Sequence, residues 1–228
     1  MLDTPDLILT LSFQIKFLRP TMETPVPGLL LYPDFIDEAT EARLLEEIDN
    51  QIWIIDYKRR LQYYGYRNEL DKPYDLVAFP VEMPPLIQQL SEQIVEQNIV
   101  LHRPDQVIIN EYTPGEGIKP HKDRNYFDNQ ICGVNLGSGC IMRFIRGKNV
   151  EVIDVEIPRR SLYVMQDEAR LKWKHAIPPR KKDVVDGQIK HRERRVSITY
   201  RKVKPAKVKP MNPDGKVAQL LKEQFHLV

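Results

Sequence analysis

Apolar and polar positions along this chain fall into two regimes. In the first hundred residues the apolar ones recur at helical spacing. "PDFIDEATEARLLEEIDNQI" (Pro33 to Ile52) sets Leu44, Leu45 and Ile48 on one stripe, with Asp37 or Thr40 as a cap, and predicts an amphipathic helix. "MPPLIQQLSEQIVEQNIV" (Met83 to Val100) predicts a second, with prolines at its start and Leu86, Leu90 and Ile94 in step. Between them "WIIDYKRRLQYYGYRNELDKPYD" is polar, aromatic and basic without a sustained period, and predicts loops and short hairpins. From Gln106 onward the pattern turns to strands. "QVIINEY", "QICGVNLG", "CIMRFIRG", "VEVIDVEI", "RSLYVMQ", "WKHAI" and "RRVSITYRKV" are short, β-rich and divided by Gly, Pro or charged turns. Many short strands at even spacing predict a sandwich or barrel. "GKVAQLLKEQFHLV" predicts a final short helix. The expected class is therefore α+β, with two N-terminal helices laid against a β-barrel or jelly roll. No internal repeat is visible.

Composition bounds the class. The 228 residues suffice for one large domain, and 42% hydrophobic with 29% charged is an ordinary globular balance. No apolar run approaches 18 residues, so no membrane span is expected. The segment before Met22 has a short apolar stretch from Leu7 to Ile15 but no basic leader or cleavage site. Residues 1–21 are expected to be an extension preceding a single domain over 22–228. Cys132 and Cys140, with no C-x-x-C pair, predict buried free thiols and a reducing compartment. The expected location is cytoplasmic, with the nucleus left open, and the expected state is a monomer. The net charge of +2 hides a polarity: residues 170 to 209 carry 15 Lys/Arg against 3 Asp/Glu, which leaves −10 for the rest. That density suggests a polyanionic partner, or a solvated tail.

Candidate chemistry starts from "GIKPHKDRN". His121 and Asp123, two apart, share a face on a strand or its edge, and His175 in "LKWKHAI" offers a second imidazole. Two His and one carboxylate form the facial triad suited to non-haem Fe(II). Alone, His-x-Asp is more often a surface ion pair. The strand "RRVSITYR" adds a second observation. It puts Arg195, Ser197, Thr199 and Arg201 on one face, and Val196, Ile198 and Tyr200 on the other. Six residues at about 3.3 Å rise separate the two arginine Cα atoms by about 20 Å. Arms leaning inward by roughly 6–7 Å leave a gap about the length of a short dicarboxylate.

In order and spacing, "NEYTPGEGIKPHKD", "LGSGCIMRF", "RRSLYVMQDEARLKWKHAI" and "RRVSITYRKV" together resemble the AlkB family of Fe(II)/2-oxoglutarate dioxygenases. The resemblance is strong over about 106–203 and looser from Val26. It implies a double-stranded β-helix (jelly roll), with His121, Asp123 and His175 as iron ligands. It implies Fe(II), 2-oxoglutarate and O2 as cofactor and co-substrates. Arg201 would clamp the distal carboxylate of 2-oxoglutarate, Asn110 and Tyr112 would touch it, and Arg195 would sit near the metal-side carboxylate and Asp123. Ser197 stands where many family members have Asn, which puts one hydrogen bond in question. Asn125 stands where repair-type relatives often carry Asp, at a position facing the substrate base.

"YKRRLQYYGYRNE" (Tyr57 to Glu69), within a lid of about 53–75, resembles the family's nucleotide-recognition lid, in the form of the branch fused elsewhere to a tRNA methyltransferase. Arg59 and Arg60 can meet phosphates, and Tyr64 and Tyr66 can stack on an extruded base. An aromatic mini-core beneath a loop is the competing reading. The resemblance implies oxidative decarboxylation of 2-oxoglutarate to succinate and CO2, coupled to hydroxylation of a substrate C–H bond. On an N-methylated base of DNA or RNA the product breaks down to formaldehyde and the repaired base. Hydroxylation of a modified wobble uridine in tRNA is the second expectation. A nucleic-acid binder with an inactive centre is the third, opposed by the intact triad and arginine pair.

Overall fold

The computed structural model describes residues 22–56, 59–69, 72–148, 151–204 and 208–227. The expected extension, residues 1–21, lies outside them, as do Tyr57 and Lys58 of the lid. The chain runs β1 (Met22–Glu23), β2 (Leu29–Tyr32), α1 (Glu38–Asp49), β3 (Ile54–Asp56), β4 (Arg59–Glu69), β5 (Lys72–Phe79) and α2 (Pro85–Glu96). Then come β6 (Gln106–Tyr112), β7 (Ile118–His121), β8 (Phe127–Leu136), β9 (Cys140–Arg146), β10 (Glu151–Ile157), β11 (Leu162–Met165) and α3 (Asp167–Leu171). It closes with β12 (Lys174–Ile177), β13 (Lys182–Val185), β14 (Gln188–His191), β15 (Arg195–Val203), β16 (Val208–Lys209) and α4 (Lys216–Phe225).

The architecture is α+β, a jelly roll of two facing sheets. The large sheet runs β1-β2-β11-β8-β15-β6-β4-β5-β16, with β3 on β4, and the small one runs β10-β9-β12-β7. Apolar residues pack in three layers. Helices α1 and α2 cover the outer face of the large sheet, where Leu44, Ile48, Ile87, Leu90 and Ile94 meet Val107, Ile109, Val134, Val196 and Ile198. Between the sheets, Tyr112, Ile131 and Tyr163 pack against Met142, Phe144, Trp173 and Ile177. Helix α4 closes the β4–β5 hairpin over Leu61, Val77 and Phe79.

All three predicted helices form, and the two N-terminal ones are shorter at each end than expected. Helix α1 starts behind Asp37, whose side chain accepts from the Thr40 N–H at 2.7 Å. Helix α2 begins at Pro85, where a missing N–H costs nothing. Where the sequence predicts loops and short hairpins in the lid, the structure has a long antiparallel hairpin, with an 11-residue β4. Gly65 explains the broken periodicity. Before it β4 pairs with β6, and from it onward β4 pairs with β5. At φ +79° its Cβ would fall 1.9 Å from the Asp105 carbonyl oxygen, so only glycine fits this change of course. Both cysteines are free and buried, and burial pushes the Cys132 thiol up to about 12. Among the described residues no helix is long and apolar enough to cross a membrane.

Candidate active site

Strand β15 divides its side chains as alternation requires. Val196, Ile198 and Tyr200 enter the helix-covered core, and the Tyr200 hydroxyl donates to the Ile87 carbonyl at 3.0 Å. Arg195, Ser197, Thr199 and Arg201 face a pocket between the sheets. Cross-strand pairing with β6 places Tyr112 opposite Arg195 and Asn110 opposite Ser197, on the same pocket. Met142, Met165 and Ile177 supply its apolar walls.

At one end lies the triad. Strands β7 and β12 pair with His121 directly opposite His175, and the ring centroids are 4.3 Å apart. Asp123 follows on the loop leaving β7, its Oδ2 3.5 Å from His175 Nε2. One ligand atom from each residue lies within 4.8 Å of the others. His121 Nδ1 is 2.9 Å from the Lys119 carbonyl, which can only accept, so Nδ1 donates there and Nε2 is the ring nitrogen not engaged by that bond. Asp123 Oδ1 accepts from Arg201 Nε at 2.9 Å, whereas buried Oδ2 has no hydrogen-bond partner. Burial alone would raise the Asp123 pKa. Arg201 and the two imidazoles outweigh it and hold the carboxyl well below the usual carboxylate range. Burial, opposed by Asp123, pushes His175 down to about 4, so its imidazole is neutral at pH 7. An ionised carboxylate with a free oxygen and two imidazoles on one small volume fit a divalent metal.

At the other end lies Arg195, 3% exposed. Its Nε donates to Asn135 Oδ1 at 2.5 Å, while both Nη atoms are buried with no hydrogen-bond partner beside the Tyr112 ring. The proximity to Asp123 expected of Arg195 is instead found at Arg201. Arg195 lies six residues earlier on β15, its guanidinium 5.1 Å from the Tyr112 ring centre. The reason is the direction of β15, which brings its C-terminal half beside the loop after β7. Tyr163 lines the same pocket, its ring lying over Gly133, where any Cβ would strike it at 2.4 Å. Burial pushes the Tyr163 hydroxyl up to about 12, so it remains a donor.

Of the expected substrate contacts, some stay near the pocket and some do not. Arg59 lies with its guanidinium 5.1 Å from the Tyr112 ring centre, Tyr66 is half-buried, and Asn125 is exposed on the loop after Asp123. Arg60 forms a two-bond pair with Glu111 at 2.5 and 2.6 Å and stacks over Trp53, so its charge is already matched. Tyr64 is buried in the helix-covered core, its hydroxyl donating to Gln62 Oε1 at 3.0 Å, and cannot stack on a base. Gly65 sends the two tyrosines apart.

The basic segment also reads differently once folded. Arg192 pairs with buried Asp183, Arg194 with Asp49 and Glu111, Arg201 with Asp123, Lys202 with Asp105 and Lys190 with Glu156. Arg170 and Arg195 are buried. Much of the excess charge thus meets the chain's own acids. Residues that the sequence did not single out include Asn135, which orients Arg195 while its amide donates to the Ser138 and Pro158 carbonyls. An amide inside the apolar run "CGVNLG" was the available signal.

A family model described as the 2OG-Fe(II) oxygenase superfamily matches residues 56–201. Protein L905 of Acanthamoeba polyphaga mimivirus is 48% identical over 187 residues, 81% of this chain and 89% of L905. The tRNA (carboxymethyluridine(34)-5-O)-methyltransferase alkbh8 of Xenopus tropicalis is 34% identical over 224 residues, 86% of this chain. The chain spans only 35% of that relative's length. The structure of OsALKBH1 superposes with a TM-score of 0.57 at 13% identity, covering 82% of this chain and 99% of the other, and supports the shared jelly roll.

Proposed function

The chain belongs to the 2OG-Fe(II) oxygenase superfamily, as an AlkB-like dioxygenase, and from that premise we propose that it oxidises an alkyl C–H bond on a base carried by DNA or RNA. One observation carries the reading: three convergent ligand atoms share a pocket with a buried arginine whose two Nη groups have no hydrogen-bond partner. The family implies Fe(II), 2-oxoglutarate and O2. His121, Asp123 and His175 would hold the iron, which when bound supplies the O2-dependent oxidation.

The protein's own residues do the binding and the positioning. Arg195 offers its fork to the far carboxylate of 2-oxoglutarate, with Tyr163, Ser197 and Asn110 as neighbouring polar groups. Arg201 occupies Asp123 Oδ1 and so leaves Oδ2 for the metal. The apolar walls of Met142, Met165 and Ile177 limit water at the reacting position. No side chain has to act as a general base. Arg59, Tyr66 and Asn125 are the candidates for holding the base and its backbone. On an N-methylated base the hydroxylated methyl carbon would leave as formaldehyde when its C–N bond breaks, and the hydroxyl proton would return to the base nitrogen.

A second reading, hydroxylation of a modified wobble uridine in tRNA, is favoured by the Xenopus tropicalis relative, whose name specifies a carboxymethyluridine at position 34. Mass spectrometry of an oligonucleotide panel tests both. Strands carrying N1-methyladenine, N3-methylcytosine or a wobble-uridine ester are incubated with Fe(II), 2-oxoglutarate and O2. Loss of a methyl mass dependent on 2-oxoglutarate is the expected result. Gain of one oxygen on the uridine ester selects the second reading. Succinate formation with every strand unchanged removes the nucleic-acid substrate altogether.

A further inference from the structure

Sheet pairing accounts for two of the three candidate ligands. His121 and His175 face each other because β7 and β12 are hydrogen-bonded in that register. Asp123 has no such support, since β7 ends at His121 and the next residues form a loop. Something else has to hold that loop. Its side chain is held by Arg201, but a carboxylate is aimed as much by where its Cα sits.

Arg170, on α3, is 4% exposed and turns its guanidinium onto that loop. Nη1 donates to the Asp123 carbonyl at 3.1 Å, and Nη2 donates to the Arg124 carbonyl at 2.6 Å. In return Lys122 Nζ donates to the Leu171 carbonyl at 2.7 Å. The platform is itself fixed, because the Gln166 and Ala169 N–H groups donate to the Gly28 and Pro27 carbonyls at 2.9 Å each. Ala169 and Trp173 are fully buried beside it. The same short segment leads directly into β12, which carries His175. One element therefore ties the loop bearing Asp123 to the strand bearing the second imidazole.

We propose that Arg170 is the positioning residue of the metal site, holding the backbone at Asp123 and Arg124 so that the carboxylate meets the two histidines before any metal arrives. A guanidinium suits the task, since its planar fork reaches two consecutive carbonyls at once and stays charged when buried. Lysine at this place could satisfy only one of them well. The proposal rests on the metal reading of the triad.

The test is calorimetric titration of the metal-free full chain with Mn(II), an oxygen-stable stand-in for Fe(II), alongside near-UV circular dichroism and thermal melting of each metal-free protein. Arg170→Gln is expected to raise the Mn(II) dissociation constant about 10- to 100-fold, as loss of an outer partner of a metal ligand does. Arg170→Lys should fall between the two. Lys122→Met, which cuts an exposed tie from the loop side, should raise it about twofold to fivefold. A packing role alone would lower the metal-free melting temperature and leave the dissociation constant of the folded protein unmoved, which overturns the proposal. If Arg170→Gln does not fold, the other two variants decide: wild-type affinity in both overturns the proposal, and weakened binding in both supports it. Wild-type protein that fails to bind Mn(II) overturns the metal reading and this proposal with it.

Discussion

Asp123 carries two demands on one carboxylate. Oδ1 is taken by Arg201 and Oδ2 is left bare beside His175. Arg195 shows the converse, a buried cation with Nε engaged and both Nη groups beside the Tyr112 ring without a hydrogen-bond partner. A buried donor without a partner costs free energy, so two on one guanidinium are best understood as places kept for an anion. Replacing Arg195 with Gln should raise the KM for 2-oxoglutarate about 10- to 100-fold, since hydrogen bonds to a charged group contribute about 1.5–3 kcal/mol. Succinate formation measured against 2-oxoglutarate concentration checks this. An unchanged KM would mean that Arg195 holds the sheet together and takes no part in co-substrate binding.

At the level of elements, β4 decides which residues can reach a substrate. Its course changes at Gly65, so Tyr64 goes under the helices and Tyr66 stays against the layer between the sheets. Gly65→Ala would need a Cβ where the Asp105 carbonyl lies and a strained positive φ, at a cost of about 1–3 kcal/mol for the backbone alone. Its melting temperature should drop by several degrees in a thermal scan. The two tyrosines should separate in the same way. Tyr64→Ala is expected to destabilise by about 3–5 kcal/mol, the range for a buried aromatic, in denaturant unfolding. Tyr66→Ala should leave stability closer to wild type and lower turnover of the modified oligonucleotide. If Tyr64→Ala alters turnover while the fold holds, the base lies on the other side of β4.

Across the whole molecule, charge is organised to join layers. Glu111 on β6 accepts from Arg60 on β4 and Arg194 before β15, and Arg194 continues to Asp49 at the end of α1. The Arg60 hydrogen bond lowers the Glu111 pKa against the opposing effect of burial, with Arg194 adding to it. The unfolded chain therefore binds a proton at Glu111 at a higher pH than the folded chain does. Its stabilisation is present above the ordinary carboxyl value of about 4.5 and is lost as pH falls through the lower folded value. Glu111→Gln should be less stable than wild type at pH 7, and the gap should narrow as pH falls below about 4.5. Unfolding midpoints at pH 7 and pH 4 measure it, and a gap that does not shrink rules out Glu111 as the titrating group.

Sequence alone determined the features that repeat at short range. The helical stripe of Leu86, Leu90 and Ile94, the alternation of β15 and the His-x-Asp pair all follow from side-chain periods of 3.6 and 2, which a local reading captures. The order of motifs identified the family and its cofactors. Other facts depended on contacts between residues far apart in the chain. Only the tertiary structure showed that Arg201 rather than Arg195 meets Asp123, because strand direction relative to a distant loop has no local signature. Only it showed that Arg60 is paired to a residue 51 positions away and that Arg170 reaches back 47 and 46 positions to the metal loop. The +12 of residues 170 to 209 looked like a surface because a linear count cannot see which acids fold against it. Local chemistry is written in spacing, whereas which groups meet is set by the packing of the two sheets.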